Sequence, residues 1–278
     1  MRFARFSTAG RQRVFASQGE TWVSLASIEG FGSEVRVTDL LDEPRRRQLA
    51  TLLASLPVDA RADVRLRDAA SIHDGGDIWG AGLNYRGHSD DLNAQQPASG
   101  PGSYLRPGNC LIGNGQQIEL PIQSKRVTAE AELGLVIGTQ CKDVGRDDWQ
   151  SVVAGLTAVL DVTAEDAVRE NPRYIPWAKG FDTFCSVGPQ LVTMDEFDDS
   201  SLESIRVSTI LNGEVIATAL VSDMKYNLGY LVEYFTAGRT LSPGTVICTG
   251  TPGAAMITPG DSVRAVVSGV GTLVHTVR

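Results

Sequence analysis

Cysteine and histidine are scarce in this chain of 278 residues. Cys110, Cys141, Cys185 and Cys248 stand far apart, with no Cys-x-x-Cys pair and no histidine at ligand spacing. That excludes a zinc site or a disulfide framework built from them, and they read as reduced, structural thiols. No basic stripe exists to displace counterions from phosphates. The net charge is -8, and the one compact basic cluster, Arg45-Arg46-Arg47, lies on a helical pattern as a solvated face, which argues against a nucleic-acid partner. No apolar run approaches the roughly 20 residues of a membrane span, and Met1-Arg2-Phe3-Ala4-Arg5-Phe6 lacks the apolar core of a signal peptide. A cytoplasmic protein is expected. Repeats and low-complexity tracts are missing too, which removes solenoids and propellers. What is present, 42% hydrophobic and 21% charged residues, suits a soluble globular chain with one large domain and a small appendage.

The appendage is residues 1–72, with strands expected at 2–6, 13–16 and 21–24, the last two joined by the turn-prone Ser17-Gln18-Gly19-Glu20. Asp42-Glu43-Pro44 opens a helix in which Leu49, Leu52, Leu53 and Leu56 form one buried stripe. The glycine-rich loop His73-Asp74-Gly75-Gly76-Asp77 begins the larger unit, residues 73–278. Within it, 78–83 is a short strand, and 93–109 is a long polar segment read as flexible or as a lid. Asn212-Gly213 is a strong hairpin signal. Ser222-Asp223 is expected to cap a helix with Leu228, Leu231, Val232 and Phe235 inward and Gly238 at its end. Strands at 245–249, 262–268 and 272–277 follow.

The chemistry concentrates in residues 126–166. Read with period two, Ala129, Ala131, Leu133, Leu135 and Ile137 point one way, and Thr128, Glu130, Glu132, Gly134 and Val136 the other. Two adjacent carboxylates on one strand face stand about 6 to 7 Å apart. A second apolar run ends in Asp161-Val162-Thr163, bringing a third carboxylate on a neighbouring strand. Taken alone, these acids fit either a solvated edge strand or a site for a hard divalent cation. Magnesium suits the second, because it accepts a few carboxylates and keeps positions open. Of the three histidines, His275 reads as structural and His73 as solvated. His88, followed by Asp90 and Asp91, fits either a helix cap or a water-activating base.

Several motifs, in order and spacing, carry a resemblance to the fumarylacetoacetate hydrolase family over about 200 residues. They are Gly82-Leu83-Asn84-Tyr85-Arg86-Gly87-His88, Glu130-Ala131-Glu132-Leu133, Asp161-Val162-Thr163-Ala164, Lys179-Gly180-Phe181-Asp182-Thr183-Phe184-Cys185, Leu211-Asn212-Gly213, Ser222-Asp223-Met224 and Thr249-Gly250-Thr251-Pro252-Gly253. The resemblance implies an α+β, β-rich fold: a mixed β-sandwich roll catalytic domain behind a small N-terminal α+β domain, commonly as a homodimer. It implies Mg2+ or Mn2+ on Glu130, Glu132 and Asp161, and a small oxo-acid substrate that chelates the cation. In the catalytic roles it implies His88 with Asp91 as the water-activating pair and Lys179 as a positive charge near the substrate. Tyr85, Arg86, Arg106 and Thr251 are the implied substrate contacts. For Lys179 the alternative is a plain salt bridge to a ligand carboxylate, for Thr251 a tight turn, and for Arg106 a surface residue.

The activity implied is hydrolysis of a carbon-carbon bond in a 2-oxo or 1,3-dioxo acid. An isomerase, decarboxylase or hydratase using the same cation chemistry, or a catalytically silent ligand-binding member, are the alternatives. Three departures bear on substrate. Asp91 stands where the family usually has glutamate. The loop after Thr251-Pro252 is short, so a more open pocket is expected. Where relatives continue from the Asp161 motif with arginine, aspartate, any residue and glutamine, this chain has Glu165-Asp166-Ala167-Val168. A compact, doubly anionic substrate is therefore disfavoured.

Overall fold

The computed structural model describes residues 1–19, 21–56, 62–91, 95–96 and 98–278, with the side chains of Asp90 and Asp91 outside the description. Among the described residues no helix is long and apolar enough to cross a membrane. Strands β1 (Arg2–Thr8), β2 (Arg11–Ser17) and β3 (Trp22–Ser24) precede helix α1 (Glu43–Ser55). Then come β4 (Ile78–Gly82), the short helix α2 (Arg86–Asp91), β5 (Gly102–Arg106), β6 (Leu111–Ile112) and β7 (Gln117–Ile118). Two long strands, β8 (Val127–Ile137) and β9 (Val153–Ala164), lead into α3 (Glu165–Glu170) and α4 (Ile175–Ala178). After them run β10 (Cys185–Thr193), α5 (Asp199–Ser204), β11 (Arg206–Leu211), β12 (Glu214–Leu220) and α6 (Leu228–Thr236). Strands β13 (Val246–Cys248), β14 (Ala254–Ile257), β15 (Ser262–Val267) and β16 (Gly271–Val277) follow.

The strands form two sheets. The larger has the order β3-β2-β1-β10-β9-β8-β13-β4-β5, with β14 on β8 and β6 on β10; the smaller runs β12-β11-β15-β16-β7. β11 and β15 pack across β8, and β15 and β16 across β9, so apolar side chains of the two sheets share one core. This is the β-rich mixed sandwich roll. The alternation of β8 does not mark an edge: both its faces are buried along all 11 residues, and it lies between β9 and β13. A solvated acidic face is thereby excluded. β1 joins the larger sheet by pairing with β10, and Ala4, Phe6, Phe15, Trp22 and Ala69 keep a small cluster of their own.

Local signals explain most elements. Asn212 and Gly213 both take positive φ, 51° and 90°, as a tight hairpin turn between β11 and β12 requires. Asp42 caps α1 with Pro44 in its first turn, although only Leu49 of the leucine stripe is fully buried. The turn expected at 17–20 includes Glu20, which lies outside the described residues. Two expectations need correction. Asn227, not Ser222-Asp223, caps α6, accepting from the Tyr230 N–H at 2.9 Å; the earlier pair sits in a separate 3-10 turn. The segment 93–109 is not all loop. Its second half is β5, paired to β4 with Tyr104 opposite Gly80 and with Tyr104 and Arg106 turned inward. Glycine and proline around residue 101 hid the alternation. Residues 93, 94 and 97 of that segment lie outside the described residues.

His275 on β16 is 1% exposed; its Nδ1 lies 2.9 Å from the Gln116 carbonyl, and Nε2 is buried without a partner among the described residues. Burial pushes its pKa down to about 4, outweighing the carbonyl. The unfolded chain, with an ordinary value near 6.5, binds the proton more tightly. Stability from neutral His275 is thus complete above pH ~6.5 and lost as pH falls toward about 4. At pH 5 the loss is about 2 kcal/mol. His275→Gln is expected to flatten the decline of Tm between pH 7 and pH 5; an unchanged slope would refute the assignment.

Candidate active site

The register of β8 on β9 sets Glu130 directly opposite Asp161, and the two-residue period returns Glu132 to the same face. One oxygen from each of the three lies within 4.8 Å of the others, and the residues are 5%, 2% and 0% exposed. Desolvated acids this close repel unless positive charge offsets them. Arg106 reaches from β5 to Asp161 Oδ1, and Tyr104 donates its hydroxyl to Oδ2. Lys179, just beyond α4, donates to Asp161 at 2.6 Å, to Thr163 Oγ1 at 2.7 Å and to Glu130 at 3.3 Å. Glu132 has no ion pair among the described residues; its partner is the Gly250 N–H at 2.9 Å.

The charge balance makes the site a cation receptor. Burial alone would raise the Asp161 carboxyl, but Arg106 and Lys179 outweigh burial and hold it below the usual range. Burial and then the Asp161 charge push Glu132 well above its usual range. Burial likewise opposes the charge of Lys179, which Asp161 and Glu130 nevertheless raise. Two cationic side chains face three carboxylates, and the uncompensated charge sits on Glu132. An all-oxygen donor set with one negative charge in excess fits a hard divalent cation held by Glu130, Glu132 and Asp161.

Two glycines let the frame close. A Cβ on Gly80 would lie 2.0 Å from the Tyr104 ring, so only glycine allows Tyr104 to cross β4 toward Asp161. Gly250, at φ +95°, would place a Cβ 2.8 Å from Asn84 and 2.9 Å from the Ala81 carbonyl, and this tight turn aims its N–H at Glu132.

A cavity of about 520 Å³ opens on the carboxylates. Glu130, Glu132, Lys179, His88 and Thr251 line it together, with Leu83, Val168, Pro172 and Ile175 on its apolar wall. His88, on α2, is 7% exposed, and its Nδ1 is buried with no hydrogen-bond partner among the described residues. The Asp91 side chain, expected as its partner, lies outside the described residues. Thr251 lines the cavity and also closes a turn, donating to the Gly253 carbonyl at 3.0 Å.

Other expectations change. Arg106 is not the surface residue of the alternative: its side chain is fully buried, bonded to Asp161 and to the carbonyls of Lys179, Phe184 and Val162, and it is absent from the cavity lining. Tyr85 is buried and Arg86 exposed, and neither lines the cavity. The three bonds of Lys179 use all its N–H groups, so it contributes charge and holds carboxylates in place, as in the salt-bridge alternative. His73 is half-buried rather than solvated, and burial lowers its pKa. The sequence reading missed Tyr104, Thr163 and Arg169. The inward alternation of Tyr104 and Arg106 was the available signal for the first.

A two-sheet β-rich scaffold, a buried carboxylate triad suited to a divalent cation and a cavity beside it define the class: a β-rich protein with a divalent-metal centre at the foot of a pocket. The C-terminal domain model of fumarylacetoacetate (FAA) hydrolase matches residues 77–278, and the chain belongs to this family. It is similar to a maleylpyruvate hydrolase from Aquipseudomonas alcaligenes, 31% identical over 83% of this chain and 82% of that one. It is equally similar to a mitochondrial oxaloacetate tautomerase from Rattus norvegicus, 31% identical over 84% and 74%. Among solved structures, maleylpyruvate hydrolase from Sphingobium sp. SYK-6, in complex with manganese(II) ion and pyruvate, aligns with a TM-score of 0.80 and 26% identity, covering 100% of this chain and 98% of that one. The family thus includes both hydrolases and tautomerases.

Proposed function

We propose that this chain is a hydrolase dependent on magnesium or manganese that cleaves a carbon-carbon bond in a 2-oxo or 1,3-dioxo acid of acylpyruvate or fumarylacetoacetate type, working as a homodimer. The observation that carries the reading is His88: a buried imidazole whose Nδ1 has no partner among the described residues, in the wall of the cavity that Glu130 and Glu132 also line. Similarity to the manganese- and pyruvate-bound hydrolase supports the cation and the oxo acid. The cation supplies a Lewis acid that favours the enolate form of a dioxo acid.

His88 takes a proton from water, and the oxygen adds to the carbonyl remote from the carboxylate. The carbon-carbon bond breaks with its electron pair left on the oxo-acid fragment as an enolate, which then takes up a proton. The products are a carboxylic acid and an oxo acid, which is a 2-oxo acid from an acylpyruvate and a 3-oxo acid from fumarylacetoacetate. Lys179 keeps positive charge beside the fragment that gains the electron pair, and Thr251 bounds the substrate at the cavity wall. The second reading, keto-enol tautomerisation or isomerisation of a 2-oxo acid, is favoured by the similarity to the oxaloacetate tautomerase.

Incubation with acylpyruvates and fumarylacetoacetate in H2(18)O, with manganese or magnesium supplied, separates the readings by mass spectrometry. Hydrolysis places one 18O in the released carboxylic acid. Deuterium exchange next to the 2-oxo group in D2O without cleavage selects the tautomerase. Carbon dioxide release selects a decarboxylase. No change in any oxo acid would mean a silent binding protein.

A further inference from the structure

Replacement of the family's arginine by Glu165 suggests a wall of the cavity that has turned negative, and the structure contradicts this. Glu165 is nearly buried, and both its oxygens are occupied: Arg126 donates to Oε2, and Arg169, one helical turn along α3, donates to Oε1 at 2.8 Å. Two guanidinium groups on one carboxylate leave the cluster with one positive charge. Arg126 does not line the cavity, whereas Arg169 does, with Val168, Pro172 and Ile175 beside it. Among the described residues the bond to Glu165 is the one hydrogen bond that the Arg169 side chain makes, so most of its five donors remain for a ligand. Its side chain is 43% exposed, in keeping with a group at a cavity mouth.

We infer that Arg169 is a specificity-determining residue that binds a second carboxylate of the substrate, with Glu165 and Arg126 holding it in position. This rests on the proposed oxo-acid chemistry at the carboxylate triad and names its substrate class: an extended 2-oxo or dioxo diacid with a hydrocarbon spacer. The reactive end lies at the triad, the spacer runs along Val168, Pro172, Ile175 and Leu83, and the distal carboxylate meets the guanidinium fork. A planar fork and a carboxylate match in two parallel hydrogen bonds, an arrangement that lysine cannot make. The positive charge has moved from the first position of α3 to its fifth.

Isothermal titration of the manganese-loaded full chain with pyruvate, 2-oxoglutarate and 2-oxoadipate tests the assignment. In the wild type one of the two diacids is expected to bind roughly tenfold or more tighter than pyruvate, as charge-assisted hydrogen bonds contribute. In Arg169→Gln that ratio falls to about one, and Arg169→Lys restores it only in part. In Arg126→Gln, which removes a positioning residue outside the cavity, the ratio falls by a smaller factor. If pyruvate binds but the diacid preference is missing from the wild type or survives in R169Q, the inference about Arg169 is overturned and the oxo-acid reading stands. If neither pyruvate nor any diacid binds, the oxo-acid reading fails and takes this one with it. Because Arg169 is substantially exposed, the melting temperature of R169Q should stay near that of the wild type, and a collapse would also overturn the assignment.

Discussion

Glu132→Gln is expected to lose divalent-cation retention while the chain stays folded. Glu132 carries the charge that Arg106 and Lys179 leave uncompensated, so its removal leaves two carboxylates balanced by two cationic side chains. No excess negative charge then remains to draw a dication from water. The loss of affinity should exceed the roughly 100-fold that follows removal of a mere supporting partner at a metal site. Elemental analysis after gel filtration reads retention directly, and the rise of Tm on adding manganese reads it by linkage, since a ligand that binds only the folded state stabilises that state. Wild type should gain stability with manganese and lose the gain with a chelator; E132Q should show neither effect. Asp161→Asn makes the contrast. There Arg106 and Lys179 lose their buried counter-charge, and a destabilisation of about 3 to 5 kcal/mol is expected along with the loss of metal. Stoichiometric manganese in E132Q would sink the triad as a cation site.

The second large effect concerns His88. In His88→Ala, turnover on whichever oxo acid proves active should fall by roughly 10² to 10⁴, the usual contribution of a positioned acid-base group. Manganese retention and Tm should match the wild type, because among the described residues His88 makes no bond to the triad and its Nδ1 has no partner to strand. That division between chemistry and binding separates a base from a scaffold residue. An H88A variant that turns over at the wild-type rate, or one that sheds its metal, would remove His88 from the role.

Several parts of this arrangement are legible locally. The alternation across residues 128–137 is a property of neighbouring residues, and it placed Glu130 and Glu132 on one strand face as β8 has them. Asn212-Gly213 specified its hairpin because few residue pairs adopt positive φ in sequence. The glycine-rich approach to β5 worked the other way. It masked a strand whose Arg106 bonds with Asp161, a partner 55 residues away. A guanidinium's partner at that separation depends on the order of strands in the sheet, which no local pattern reports.

Alone, the sequence determined the family, the three carboxylates and the candidate base, because these are residue types at fixed spacing along strands and loops. Only the tertiary structure decided what surrounds them. It spent Arg106 and Lys179 on the carboxylates, left Glu132 without an ion pair among the described residues, and set Arg126 and Arg169 on Glu165, with Arg169 in the cavity lining. The physical reason is that the effect of a charge depends on which opposite charge and how much water lie within a few ångströms of it, and those neighbours come from distant parts of the chain.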